Sequence, residues 1–291
     1  MGPMRWFVFI ASTLGAWIAA AEPASTAPID VHFQAHRGGL LEAPENTLAA
    51  YQHAWDIPGA IPEVDVAVTQ DGVMVCIHDD TPERTTTAPE EFKRKPISEI
   101  PSAQLRKWDA GVKFDAKYAG EKVPLLTEVF DEMKGRPERQ AYLDLKDVDL
   151  SKLAALIDGD GLRQQIIFVH GDPKMCVRLQ GLYAGARTMT WLSGSPEKIR
   201  QRFEELAKEG FTGISQLQFH LKAAAAKPEI RYVLDKDFLR EAVERTRAAN
   251  VELQVRPFEF DAKSLQYLTG LGIRWFVADA PKRFADALAG K

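Results

Sequence analysis

The sequence predicts an α/β fold, a single TIM-type (β/α)8 barrel, and three observations carry that expectation. Strand-like runs alternate with helix-like ones from residue 33 onward, eight strand-like runs can be counted, and polar clusters recur where those runs end. Such alternation is what a parallel sheet with crossover helices requires. The candidate strands are 33–37, 62–68, 141–146, 165–170, 186–191, 213–218, 252–256 and 274–278. Between them, 45–55, 196–208 and 236–249 carry apolar residues every three to four positions, as on a helix with one buried face. Segment 79–123 has no long periodic run and reads as an excursion over one barrel mouth, after the strand-like run 73–77. Segment 219–234, with its alanine run 223–226, reads as a short helix or a loop.

The chain has 291 residues and is 45% apolar, enough to bury a large core, and no second domain boundary interrupts it. A formal charge of −4 with both signs interspersed leaves no basic stripe, which argues against a nucleic-acid partner. Arg5, the apolar stretch 6–18 and Ala19 to Ala21 have the order of an export signal, with cleavage before Glu22. That stretch is shorter than the ~20 residues a membrane span needs, and nothing later is long and apolar enough to span one. The expected organisation is a signal peptide over 1–21, a tether over 22–32 and the barrel over 33–291, exported to the periplasm or beyond the cell. Cys76 and Cys176 are too few for a disulfide framework and read as buried small hydrophobes.

Polar clusters at strand ends point to the mouth where barrel enzymes act. His36 and Arg37 leave the first strand before two glycines. Glu63 and Asp65 alternate with Val64 and Val66, so both carboxylates project from one strand face. Two such charges in a barrel interior call for a cation, and hard oxygen ligands favour Mg²⁺ or Ca²⁺. His78 and Asp79 close the run that follows the Asp71-Gly72 turn, bringing a second imidazole to the mouth. Two histidines can divide a reaction between base and acid, because an unperturbed imidazole titrates near neutrality. Asp144 and Lys146 share a further strand face, offering a third carboxylate and an ammonium for phosphate.

In this order the motifs resemble the glycerophosphodiester phosphodiesterase family. The resemblance rests on His36-Arg37-Gly38, Glu45-Asn46-Thr47, Glu63-x-Asp65-Val66, Thr69-x-Asp71-Gly72 and His78-Asp79. It continues through Arg84 and Thr85, Asp109 to Gly111, Val123 to Val129, and Asp279 ahead of Pro281. It implies a TIM barrel, one divalent cation, and hydrolysis of a small glycerophosphodiester to glycerol phosphate and an alcohol. It also implies His36 and His78 as the acid/base pair, Glu63, Asp65 and Asp144 as metal ligands, and Arg37 and Lys146 as phosphate holders. Attack by a neighbouring glycerol hydroxyl, through a cyclic phosphate, or by water are both compatible with it.

The sequence departs from the family pattern at three strand ends. Asp144 stands where a glutamate is usual, Val169-His170-Gly171 replaces a Ser-Phe, and Val255-Arg256-Pro257 replaces a Trp-Thr. His170 and Arg256 therefore read either as contacts to the leaving alcohol or as local partners of Asp172 or Glu259. Trp191 offers an apolar wall, or core packing, and Glu45 supports the site from the first helix turn or simply caps that helix. His32, His53 and His220, outside the motifs, read as structural or solvated. Two rival readings follow: a lipid phosphodiesterase similar to sphingomyelinase D or lysophospholipase D enzymes, and a non-catalytic barrel that binds phosphoesters.

Overall fold

In the computed structural model, which describes residues 1–2, 30–224 and 232–290, eight parallel strands close into a barrel. Residues 3–21 of the expected signal peptide, most of the tether, and residues 225–226 of the alanine run lie outside the described residues. The strands are β1 (His32–Ala35), β2 (Ala60–Val68), β3 (Met74–Cys76), β4 (Ala141–Leu145), β5 (Ile166–Val169), β6 (Arg187–Leu192), β7 (Gln216–Leu221), β8 (Glu252–Pro257) and β9 (Trp275–Ala278). Around the barrel they run β1, β2, β4, β5, β6, β7, β8, β9, with β9 pairing β1 to close it. β3 stands outside that ring, antiparallel to the end of β2.

Outer helices follow the parallel strands: α1 (Leu48–Trp55), α2 (Leu126–Met133), α3 (Leu150–Gly159), α4 (Pro173–Leu182), α5 (Pro196–Lys208), α6 (Lys236–Ala248), α7 (Ala262–Gly270) and α8 (Pro281–Leu288). Side chains that accept backbone N–H groups start several of them, among them Thr47, Asp149, Asp172, Ser195, Asp235 and Asp261. No helix among the described residues is long and apolar enough to cross a membrane.

Strand alternation sorts the core into two layers. Val64, Val66, Leu143 and Leu145 face outward onto helices with Leu126, Phe130 and Leu153. Ile61, Tyr142, Ile167, Val169 and Met189 pack together inside the barrel. A buried polar network lies beside them: Gln218 Nε2 donates to Gln254 Oε1 (2.8 Å), Tyr142 OH donates to Gln216 Oε1 (2.8 Å), and Gln254 Nε2 donates to Tyr142 OH (3.3 Å). A buried amide stack persists only when its members are mutually satisfied, so these bonds set how the barrel floor packs.

Three expected boundaries move. The first strand ends at Ala35, and His36 to Gly38 form a 3-10 turn. The helix expected from residue 45 begins at Leu48, because Asn46 takes a left-handed conformation (φ 54°) and Thr47 caps. The sixth barrel strand, β7, runs from Gln216 to Leu221 rather than over 213–218.

Candidate active site

The β1–β9 register sets Ala35 opposite Ala278, so the residues just beyond, His36 and Asp279, meet. Gly38 at φ 81° allows the His36–Gly38 turn to pack on α1, where a Cβ would come within 2.7 Å of the Ala50 Cβ. Arg37 is held at φ 53°, a conformation that costs a non-glycine residue about 1–3 kcal/mol and persists only where surroundings enforce it. Its backbone N–H donates to Glu63 Oε2 (3.3 Å) and its Nη1 to Glu45 Oε1 (3.0 Å). Its buried Nε has no hydrogen-bond acceptor among the described residues and lies 3.9 Å from Asp65 Oδ2.

The three carboxylates meet because of register. Asp65 lies directly opposite Asp144 across the β2–β4 ladder, with Glu63 two residues earlier on the same face. One oxygen atom from each of Glu63, Asp65 and Asp144 lies within 4.8 Å of the other two. Asn46 orients Asp65: its Nδ2 donates to Asp65 Oδ2 (2.6 Å), while its Oδ1 accepts from the Asp65 backbone N–H (3.0 Å) and from Tyr51 OH (2.8 Å). Asp65 Oδ1 is buried and has no hydrogen-bond partner among the described residues. Burial pushes the Glu63 carboxyl up to about 7, with Asp65 and Asp144 adding to the rise and His36 opposing it. Burial and Asp65 likewise raise Asp144 to about 7, against the pull of Lys146 and Arg37. A cluster of this kind binds protons or a cation, because its charges have too few positive neighbours.

β3 carries the second imidazole back to the mouth. The Ile77 backbone N–H donates to the Asp65 carbonyl (3.0 Å), which places His78 beside β2. His78 Nδ1 contacts Asp79 Oδ1 at 2.8 Å, and His36 Nδ1 contacts Asp279 Oδ1 at the same distance. A carboxylate accepts only, so each pairing favours a proton on Nδ1; at His36, Arg256 Nη2 also lies 2.9 Å from Nδ1 and Glu63 Oε2 lies 3.8 Å from Nε2. Asp279 Oδ1 also takes Arg256 Nη2 (2.9 Å).

These groups surround a cavity of about 250 Å³ lined by Gln34, His36, Arg37, Glu63, His78 and Asp144. Val169, Met189, Trp191, Gln218, His220, Arg256 and Val277 complete the wall. A family model described as the glycerophosphoryl diester phosphodiesterase family matches residues 36–283. The chain belongs to this family. A glycerophosphodiester phosphodiesterase of Caldanaerobacter subterraneus is 44% identical over 97 residues, 33% of this chain and 38% of that one. The chain spans less than half the length of the curated relatives it matches. The crystal structure of glycerophosphodiester phosphodiesterase from Agrobacterium tumefaciens is 26% identical, with a TM-score of 0.68, covering 88% of this chain and 99% of its own. An Oleispira antarctica phosphodiesterase solved with the product sn-glycerol-3-phosphate shares the fold at 23% identity and a TM-score of 0.65, covering 89% and 96%.

The other predicted site residues of this family member are distributed as follows. Trp191 and Arg256 line the cavity. Glu45 lies behind it, bridging Arg37 to Arg84. Lys146 follows β4, half-buried near Asp144 without lining the cavity. His170 turns to the start of α4, where its Nδ1 accepts the Asp172 backbone N–H (3.0 Å). Of the three histidines expected to be structural or solvated, His32 stacks on Trp275 and His53 pairs with Glu42 at 2.9 Å. His220 instead lines the cavity; burial and nearby Arg256 push its imidazole down to about 4. The missed signal was the strand end: once β7 reaches Leu221, Gln218 and His220 share one face with period two. Gln34 also lines the cavity, two positions before His36 and within the expected first strand.

Proposed function

We propose that this protein hydrolyses glycerophosphodiesters to glycerol phosphate and an alcohol, with a divalent cation held by Glu63, Asp65 and Asp144. The observation that carries the reading is one cavity flanked by three converging carboxylates and two imidazoles, each imidazole backed by its own carboxylate. The residues fit a cation. Asp65 Oδ1 is buried without a hydrogen-bond partner among the described residues, and Glu63 and Asp144 resist ionisation in the absence of a cation. An all-oxygen donor set suits Mg²⁺ or Ca²⁺. When bound, such an ion supplies positive charge to phosphate oxygens.

Arg37, which lines the cavity, offers its guanidinium charge to a phosphate oxygen, and Lys146 adds positive charge near Asp144. One imidazole Nε2 accepts a proton from the attacking hydroxyl, whether the neighbouring glycerol hydroxyl or water. The other imidazole, protonated at Nε2, gives its proton to the departing alkoxide oxygen. Asp279 and Asp79 hold the two rings at the cavity wall through their Nδ1 atoms. We place the enzyme outside the cytoplasm on the pattern of Arg5, the apolar stretch 6–18 and Ala19 to Ala21.

A matrix of cations against glycerophosphocholine, glycerophosphoethanolamine, glycerophosphoinositol and glycerophosphoglycerol tests the reading. Turnover that persists in excess chelator would refute the carboxylate assignment, and no turnover under any cation would refute the activity. A second reading, hydrolysis of lysolipids, is favoured by exposed Leu41 and Phe258, which border a crevice sharing Arg256 and Val277 with the main cavity. Lysophosphatidylcholine in the same matrix separates the two.

A further inference from the structure

We propose that Arg84 is a positioning residue that holds both His78 and Arg37, each through one carboxylate. The inference rests on the phosphodiesterase reading, in which His78 exchanges a proton and Arg37 holds phosphate. Arg84 belongs to the excursion rather than to the barrel, and its guanidinium reaches two acids at once. Its Nε donates to Asp79 Oδ2 (2.7 Å) and its Nη2 to Asp79 Oδ1 (2.8 Å). Its Nη1 donates to Glu45 Oε2 (2.5 Å), and its Nη2 also reaches Glu45 Oε1 (2.8 Å). Each of those acids continues inward. Asp79 Oδ1 takes His78 Nδ1 (2.8 Å), and Glu45 Oε1 takes Arg37 Nη1 (3.0 Å). The result is an unbroken sequence of contacts, Arg37 to Glu45 to Arg84 to Asp79 to His78, crossing the mouth.

An exposed guanidinium ordinarily contributes little to stability, since water screens it. Arg84 is 47% exposed yet uses both edges of its fork, a geometry that a flexible ammonium cannot reproduce. The loop that carries it is rigidly supported. Ala88, Ile97, Ile100, Leu105 and Trp108 of the excursion pack in one buried cluster with Val75 and Ile77 of the β3 segment. Thr86 Oγ1 donates to the Pro82 carbonyl (2.8 Å), and Lys113 Nζ donates to the Glu83 carbonyl (2.6 Å), fixing the backbone on both sides of Arg84. Glu45 shows what Arg84 offsets: burial alone would raise its carboxyl, but Arg84 and Arg37 bring it below the ordinary value. The excursion therefore does more than cover the mouth. It delivers one side chain that fixes the Nδ1 proton of His78 and the direction of Arg37.

The two arms have separable consequences. Losing the Asp79 arm frees the His78 ring and lowers kcat, whereas losing the Glu45 arm loosens Arg37 and raises KM. The experiment uses the full chain with saturating cation and compares Arg84→Met, Arg84→Lys, Asp79→Ala, Glu45→Ala and the two doubles containing Arg84→Met. We expect Arg84→Met to lower kcat roughly tenfold in the wild-type background and less than about twofold beside Asp79→Ala. Its KM increase should vanish beside Glu45→Ala, and Arg84→Lys should restore neither parameter. Fully additive doubles, or full rescue by lysine, would overturn the proposal. Two readouts do not depend on turnover: ¹⁵N NMR of the His78 tautomer, and binding of sn-glycerol 3-phosphate. Arg84→Met should mix the tautomers and weaken that binding; a single unchanged tautomer with unchanged affinity would overturn the inference. If the wild-type protein turns over none of the substrates, the phosphodiesterase reading fails while these two readouts still decide the role of Arg84.

Discussion

Neutralising Asp144 should stabilise the protein when no cation is present, the reverse of what removing a buried polar group normally does. Burial and the facing Asp65 raise its carboxyl from 3.8 to about 7, so the folded state resists a charge that the unfolded chain accepts freely. At about 1.4 kcal/mol per unit, this shift corresponds to an upper bound of about 4 kcal/mol above pH 7, and water in the open cavity reduces it to about 2 kcal/mol. The sign follows from linkage. Between the unfolded and folded values the native state holds more protons, so wild-type stability falls as pH rises through that window. The Asp144→Asn gain should be complete above about pH 7, smaller near pH 5 and absent below about pH 4. Thermal or urea unfolding in excess chelator reads it directly, as a rise of about 4–8 °C in Tm at pH 8. Adding Mg²⁺ or Ca²⁺ should invert the order, because a ligand at 100 times its Kd stabilises the wild type by about 3 kcal/mol and the Asp144→Asn variant binds it less well. An Asp144→Asn protein less stable than wild type at pH 8 in chelator, or a gain independent of pH, would refute the repulsion argument.

The remaining predictions concern orientation and chemistry. His36→Ala and His78→Ala should each lower kcat by about 10²–10⁴ with cation saturating, and steady-state turnover of a glycerophosphodiester checks this. Asn46→Ala removes three buried hydrogen bonds and places alanine at φ 54°, so equilibrium denaturation should show a loss of about 3–5 kcal/mol; a loss below about 1 kcal/mol would contradict the network. Asp279→Ala releases the His36 ring and unpairs Arg256, and should lower kcat at least about tenfold with little change in KM.

The barrel was legible because its signals are local. Val64 and Val66 alternating with Glu63 and Asp65 reveal a strand and its inner face without any knowledge of neighbours. The same locality explains the errors. Nothing in the run after Gln218 marks where β7 ends, because that end is set by hydrogen bonds to β8, including the pairing of His220 with Arg256. Two competing readings of Arg256 stayed open for a similar reason: its partner proved to be Asp279, while the suggested Glu259 lies exposed beyond the strand. For His170, the local option is the one observed, through the backbone rather than the carboxylate of Asp172.

By itself the sequence determined strand faces, the order of the motifs and the types of chemistry available, since these depend on residue identity and on spacing along one element. Only the tertiary structure decided which groups touch. Cross-strand register set Asp65 opposite Asp144, barrel closure brought Asp279 against His36, and the packed excursion carried Arg84 to two acids at once. Hydrogen bonds and charge pairs act over a few ångströms, and residues hundreds of positions apart reach that range only after the chain has closed on itself.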